Sequence, residues 1–236
     1  MQTFVADTSA FTGSTVTITG NEHHHATRSC RVRHGEMIAV TDGAGRRVVA
    51  RISRIDSESL DAVIEEDVSG RGELTASVTV ALAMIAPARF ETAAEKCTEL
   101  GVRAIIPVHT FRCEGSGSRL KMDRLHRIVR EASKQSGRSW IPDIHEPADI
   151  VSLAEQVDGP MLVGSGGSET PLSEYTADIR RKGRCTVMIG PEGDFTQDEH
   201  DLLLKHGASF FSLGGLVLRA ETAAIVSVGL LADALR

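Results

Sequence analysis

The chain has 236 residues, 26 Lys and Arg against 32 Asp and Glu, a formal net charge of −6, and 41% hydrophobic and 25% charged residues. That composition is ordinary for a globular protein and excludes a disordered tail, a collagen and a disulfide scaffold. No window reaches the roughly 20 apolar residues of a membrane helix. One large or two small domains fit the length. The opening, MQTFVADTSAF, has no basic region leading into an apolar core, so no signal peptide is expected and the cytoplasm is the expected location. Cys30, Cys97, Cys113 and Cys185 are widely spaced without a CxxC, which points to buried reduced thiols rather than a zinc knuckle or a redox pair.

Residues 1 to about 70 read as β-rich. MIAVTDG (37–43) and RRVVARISRI (46–55) are β-branched runs parted by Asp42-Gly43-Ala44-Gly45, a hairpin-type turn. LDAVIEEDV (60–68) alternates like a further strand, and Ser69-Gly70-Arg71-Gly72 is a flexible junction. So short a segment suggests a small barrel. Beyond the junction, strands and helices alternate. SVTVALAMI (77–85) is near-continuously apolar, as in a sheet covered on both faces. ARFETAAEKCTELG (88–101) reads as a helix stopped by Gly101, and AIIPV (104–108) as the next strand. In 120–137, Leu125, Ile128, Val129 and Ala132 share one helical face, with Arg124, Arg127, Arg130 and Lys134 largely opposite. PMLVGSGG, CTVMIGPEGD and ASFFSLGG are three strand-then-glycine units. Thr196-Gln197-Asp198-Glu199 is a capping box opening a helix to about His206. The last helix, about 220–235, is apolar nearly all round, which predicts burial or a subunit interface. The whole stretch predicts an α/β domain with a mainly parallel sheet.

Charge is clustered. Residues 28–54 carry seven arginines (Arg28, Arg31, Arg33, Arg46, Arg47, Arg51, Arg54) against Glu36 and Asp42. Residues 112–138 carry eight basic residues against Glu114, Asp123 and Glu131. Basic islands on an acidic chain fit a protein that meets a phosphate backbone on chosen surfaces; for either island alone, a solvated face is an equal reading. In open α/β sheets ligands bind at the carboxyl ends of strands. Three such ends here carry glycine turns: Gly164-Ser165-Gly166-Gly167, Gly190-Pro191-Glu192-Gly193-Asp194 and Gly214-Gly215. Neither a GxxxxGK[ST] phosphate loop nor a GxGxxG fingerprint is present.

Four segments, KCTELGVRAIIPVHTFRC (96–113), KQSGR (134–138), IGPEGDFTQDE (189–199) and LGGLVLRAETAA (213–224), resemble in order and spacing the motifs of the RsmE family, the small-subunit ribosomal RNA uracil-N3 methyltransferases of the SPOUT class. HATRSCRVRHGE (25–36), followed by DGAGRRVVARI (42–52), resembles that family's N-terminal PUA-like RNA-binding barrel. The resemblance covers nearly the whole chain. It implies a PUA-like β-barrel over 1–71 and a SPOUT α/β methyltransferase domain over 73–236 with a trefoil knot, S-adenosylmethionine bound in the knot, and a homodimer without membrane or metal. The implied activity is methylation of N3 of a uridine in 16S ribosomal RNA, within the small ribosomal subunit.

Carried over by motif, the cofactor pocket uses Leu162, Gly164, Ile189, Gly190, Glu192, Gly193, Leu213, Gly214, Val217, Leu218, Arg219 and Thr222. The RNA side uses His25, Arg28 and Arg31 on the barrel and Arg112, Gln135 and Arg138 on the catalytic domain. Two departures stand out: Asp194 replaces a common glycine of GPEGG, and Gly215-Leu216 replaces the usual Pro-Arg. Those departures favour an alternative, a non-catalytic RNA-binding or ribosome assembly factor with a degenerate SPOUT domain.

Methyl transfer from a sulfonium is an in-line displacement governed by positioning. Uracil N3 carries a proton at neutral pH, so the proton must leave or the anion must be stabilised. Pairing hides N3, so the base must be unpaired or flipped out. Arg219 is the candidate for stabilising the base anion, and Glu221 for accepting the proton or anchoring Arg219; a plain helix-start carboxylate is an equal reading of Glu221. Consecutive His23-His24-His25 cannot all face one ion in regular structure, so a loop near RNA is expected there. Trp140 reads as a packing residue. Asp198, Glu199 and Asp201 read as a solvated first helical turn.

Overall fold

The computed structural model describes residues 1–113 and 120–236; Glu114 and Arg119 of the second basic stretch lie outside the described residues. The chain divides into two compact units, Met1–Glu73 with Ser133–Ile141 and Leu74–Ala132 with Pro142–Arg236. The sequence suggested two contiguous segments, 1–71 and 73–236. The difference is the return of residues 133–141 to the first unit. Thr41 Oγ1 donates to the Ser139 carbonyl at 3.1 Å, Gly45 N to the same oxygen at 3.0 Å, and Gly70 N to Ser139 Oγ at 3.0 Å.

In the first unit, β1 (Thr3–Val5), β2 (Phe11–Thr12), β3 (Thr15–Thr19), β4 (Met37–Thr41), β5 (Arg47–Ile55) and β6 (Ser59–Asp67) form one sheet in the order β1-β4-β5-β6-β3-β2. Its core draws on every strand: Phe4, Phe11, Val16, Ile18, Ile38, Val40, Val48, Ala50, Ile52, Leu60 and Ala62 pack together. Among the described residues the hydrogen-bonded ladder does not close between β1 and β2, the end strands, which span three and two residues. The hairpin turn is built as its residues dictate: Asp42 Oδ1 accepts Ala44 N at 2.8 Å and Arg46 N at 3.0 Å. Gly45 must be glycine. Its φ is +115°, and a Cβ would sit 2.5 Å from Trp140 Cζ2, so Trp140 is a packing residue. Between β3 and β4 the chain forms α1 (Gly20–His24) and a π-helical turn, His25–Cys30, which closes with Arg31 left-handed at φ 53°.

The second unit is a parallel sheet with helices. Its elements in chain order are β7 (Ser77–Ala83), α2 (Pro87–Leu100), β8 (Ala104–His109), α3 (Met122–Ser136), β9 (Asp143–Ile144), β10 (Ala148–Asp149), α4 (Ile150–Gln156), β11 (Met161–Gly164), α5 (Thr176–Lys182), β12 (Arg184–Ile189), α6 (Gln197–Lys205), β13 (Ser209–Phe211) and α7 (Ala220–Ala234). The last residues of α3 group with the first unit. The sheet order is β10-β8-β7-β12-β11-β13, with β9 also on β8, and every pairing is parallel. α2 ends where Gly101 takes φ +112°. α7 buries Ala220, Ala224, Ser227, Val228, Leu231 and Ala232 and leaves Leu230 exposed. Cys97 and Cys185 are buried and desolvation pushes both thiols up to about 12, whereas Cys30 and Cys113 are half-buried. No helix among the described residues is long and apolar enough to cross a membrane.

Candidate functional site

The neighbouring strands β12, β11 and β13 all release their chains at the same, carboxyl, edge of the sheet. There the three glycine turns surround a single hollow of about 400 Å3. Of the residues expected at a cofactor pocket, Gly164, Ile189, Gly190, Glu192, Gly193, Leu213, Gly214, Val217 and Leu218 line it. Ser165, Pro191, Asp194, Phe211, Ser212, Leu216 and Ala223 complete much of the wall and were not singled out as pocket residues. Leu162, Arg219 and Thr222 are not among the lining residues. Leu162 is fully buried in β11, as are its neighbours Met161 and Val163 on the other face of the sheet.

Two glycines are fixed by close packing: a Cβ on Gly190 would meet the Phe195 ring at 3.0 Å, and one on Gly164 would meet Ile189 Cδ1 at 2.9 Å. Gly166, Gly214 and Gly215 have open space beside them, so a ligand can approach their backbone. Asp194 is left-handed at φ 59°, and its Oδ1 accepts Phe195 N at 2.8 Å. Glu192 and Asp194 are charged lining side chains, while no Lys, Arg or His lines the hollow among the described residues. A mixed wall of apolar side chains, two serines, two carboxylates and open backbone suits a compact ligand with a flat apolar part and polar groups.

Around the hollow, polar side chains tie the loops together. Arg89 of α2 donates through Nη1 to Glu192 Oε1, and its Nε lies 3.9 Å from Glu221 Oε1 in the first turn of α7. Glu221 Oε2 is buried and has no hydrogen-bond partner among the described residues. The expected anchor for Arg219 is therefore corrected: Glu221 contacts Arg89, and Arg219 is exposed just before α7. Arg112, expected to face RNA, donates through Nη1 to the Gly193 carbonyl at 2.5 Å and the Phe195 carbonyl at 3.4 Å. Glu199 was expected to be solvated and is 8% exposed. Its Oε1 accepts Phe111 N at 2.8 Å, while Oε2 closes the capping box on Thr196 N at 2.8 Å. The capping box was visible in the local sequence; the reach to Phe111, 88 residues away, was not.

The expected RNA residues of the first unit divide. His25, Arg28, Arg31 and Gln135 are exposed. His25 Nε2 lies 3.5 Å from Cys30 Sγ, and its ring packs edge-on to Phe4. His23 turns inward to the Asp56 carbonyl, and no metal-holding group of three His, Cys, Asp or Glu occurs among the described residues. Arg138 does not face solvent. It is 6% exposed, and its Nε and Nη2 donate to Glu73 Oε2 at 3.2 and 2.7 Å. A carboxylate desolvated beside an arginine captures it, which overrides the exposure its polar neighbourhood suggested. Lys134 is likewise drawn in, 3.3 Å from Glu22 Oε1.

A family model described as an RNA methyltransferase domain matches residues 72–232, and one described as an RNA methyltransferase PUA domain matches 18–65. The ribosomal RNA small subunit methyltransferase E of Synechocystis is 34% identical over 91% of this chain and 72% of its own. The protein of that name from Mycobacterium bovis is 31% identical over 96% of this chain and 89% of its own. Among solved structures, a ribosomal RNA small subunit methyltransferase E from Neisseria gonorrhoeae, bound to S-adenosylmethionine, superposes with a TM-score of 0.85 at 27% identity, covering 99% of this chain and 97% of that one.

Proposed function

The chain belongs to the ribosomal RNA small subunit methyltransferase E family, and from that premise we infer that it transfers a methyl group to N3 of a uridine in 16S ribosomal RNA. It is an S-adenosylmethionine-dependent ribosomal RNA methyltransferase with an N-terminal PUA-like domain. The observation that carries the inference is the convergence of three glycine-bounded strand ends on one hollow of about 400 Å3, within the size range of small-molecule sites.

S-adenosylmethionine, when bound, supplies a methyl group on a positively charged sulfur. Asp194 gives the wall a negative charge that favours such a cation, while the charge of Glu192 is largely answered by Arg89. The backbone at Gly166, Gly214 and Gly215 is bare enough for close hydrogen bonding. Ile189, Phe211, Leu213 and Leu218 offer apolar surface to an adenine ring. On the acceptor side, Arg219 is exposed at the start of α7, with no partner for its guanidinium among the described residues, and it stabilises negative charge on the uracil. Glu221, in the first turn of α7, is the carboxylate that accepts the N3 proton in this reading.

His25, Arg28 and Arg31 grip the RNA from the PUA-like unit. The assembly is a homodimer acting on the small ribosomal subunit in the cytoplasm, with the C-terminal unit knotted as the family resemblance implies. The nearly bare Leu216 and Val217, 83% and 99% exposed beside the hollow, are apolar surface that a second copy would cover. The test is a map of methylated positions in small-subunit RNA from cells lacking this protein. An N3-methyluridine blocks the pairing edge and stops reverse transcription. Such a stop must vanish in the deletion strain and return when the purified chain and S-adenosylmethionine are added. Methylation at a carbon or ribose position would refute the N3 assignment.

A further inference from the structure

The PUA-like unit holds a cluster of three guanidiniums, and the acceptors around it are unevenly shared. Arg138 is bound to Glu73, whose Oε1 also accepts Ser139 N at 2.8 Å and Trp140 N at 3.3 Å. Arg71 is bound to Glu66 at 2.6 Å. Arg47, at the start of β5, donates no side-chain hydrogen bond to any described residue, and its Nε is buried without a partner. The side chain is not simply waving in water. It packs on the turn at Gly137, where a Cβ would lie 3.0 Å from Nη2 and 3.4 Å from Cζ. The backbone of Arg47 is pinned as well, with its N donating to Ser69 Oγ at 3.0 Å and its carbonyl accepting Val68 N at 2.8 Å. Burial and the neighbouring Arg71 act together to disfavour its charge, and Glu73 offsets them only in part.

A partly desolvated guanidinium without an acceptor is costly, and an anionic ligand is one way such a group is satisfied. An uncharged ligand would not answer the surplus of positive charge. The planar fork of arginine matches phosphate oxygens. We propose that the Arg47 guanidinium, flanked by Arg71 and seated on the Gly137 turn, is a binding site for a backbone phosphate of the substrate RNA. The site positions the RNA on the PUA-like unit and reads no base. This rests on the RNA methyltransferase reading above and adds a contact to it.

The experiment uses the full chain and unmodified small-subunit RNA, with binding measured between about 50 and 200 mM salt. Each lost phosphate contact lowers the slope of log affinity against log salt by about one. Arg47→Gln should show that loss, so that its affinity falls roughly three- to fourfold less across this salt range than that of the wild type. Arg47→Lys should restore part of the slope. Arg54→Gln, whose guanidinium is already 3.0 Å from Asp56, should leave it unchanged. Thermal unfolding of Arg47→Gln should not begin at a lower temperature, because the folded state loses an unsatisfied buried donor. An unchanged slope in Arg47→Gln, or an equal drop in Arg54→Gln, overturns the site. A lowered melting temperature with an unchanged slope makes Arg47 structural and overturns it too. Inorganic phosphate stabilising the wild type alone, with no change in the RNA slope, would assign the site to a free anion and overturn the RNA assignment. Failure of the wild type to methylate both this RNA and small ribosomal subunits from cells lacking the protein would instead sink the underlying reading. If Arg47→Gln fails to fold, the slope of Arg47→Lys and the phosphate melt decide.

Discussion

Arg89→Ala should damage the methyl-donor site without touching its lining. The guanidinium joins Glu192, in the loop after β12, to Glu221, in the first turn of α7. The Glu192 contact is half-exposed, so its loss alone costs about 0.2–1 kcal/mol. Glu221 is the larger part. Its side chain is 14% exposed and Oε2 has no partner among the described residues, so removing Arg89 takes away the cation nearest a largely buried carboxylate. A buried polar group deprived of its partner costs about 1–3 kcal/mol. The sum is about 2 kcal/mol, which at this chain length lowers the melting temperature by about 4–8 °C. Part of that loss should appear as weaker binding, because Glu192 lines the hollow. The assay is thermal unfolding and calorimetric titration with S-adenosylhomocysteine. Arg89→Ala should melt early and bind roughly tenfold more weakly, an effect of about 1.4 kcal/mol. Arg89→Lys should recover most of both. In the double variant Arg89→Ala, Glu192→Gln, the cost should be less than the sum of the singles, since the two residues share one contact. Wild-type melting and affinity in Arg89→Ala would refute the idea that this ion pair holds the wall.

Arg28→Ala should weaken RNA binding and reduce its salt slope by about one while leaving thermal stability unchanged, since Arg28 is exposed on the π-helical turn; an unchanged slope removes it from the interface. Arg138→Ala should act in the opposite way. It strands Glu73 in a buried setting and should cost about 3–5 kcal/mol in urea unfolding, with the RNA salt slope intact in whatever protein remains folded. Glu221→Gln keeps the shape but not the basicity, so methylation of unmodified RNA should fall by at least about a hundredfold if Glu221 takes the N3 proton. A wild-type rate ends that role.

What the sequence made legible is what depends on neighbours a few residues apart. The hairpin around Asp42 was readable because the carboxylate serves amides two and four residues on. The stop of α2 was readable because Gly101 sits where the helix needs φ +112°. The three glycine turns were readable as strand ends, and a parallel sheet brings neighbouring strand ends together whatever their distance in the chain. Partners far apart in sequence were not readable. Arg138 lies in a polar segment and looked solvated, yet its acceptor is Glu73, 65 residues away. Leu162 sits inside β11, where both faces are covered, and only Gly164 at the strand's end reaches the hollow. Residues 20–30 contain no apolar period, so α1 and the π-helical turn gave no signal, and Ala26 and His23 alone bury there.

The two departures from the family motif can now be weighed by what each position demands. At 194 the backbone is left-handed, a conformation glycine adopts freely and most residues resist by roughly 1–2 kcal/mol. Aspartate is one of the few side chains enriched there. Here its Oδ1 also accepts the next amide, Phe195 N, at 2.8 Å, so a local hydrogen bond offsets the strain. The turn is thereby kept, and with it the Phe195 ring packed under Gly190. The substitution also adds a carboxylate to a wall whose other charged lining group is Glu192, strengthening the sign that suits a sulfonium. At 216 the position is 83% exposed, so the absent arginine leaves no buried partner unsatisfied and no gap in the wall. A decayed site should show the reverse: a glycine lost where the backbone has no side chain able to hold it, or a lining charge of the wrong sign. Neither departure does so, which leaves no structural support for a degenerate, non-catalytic domain.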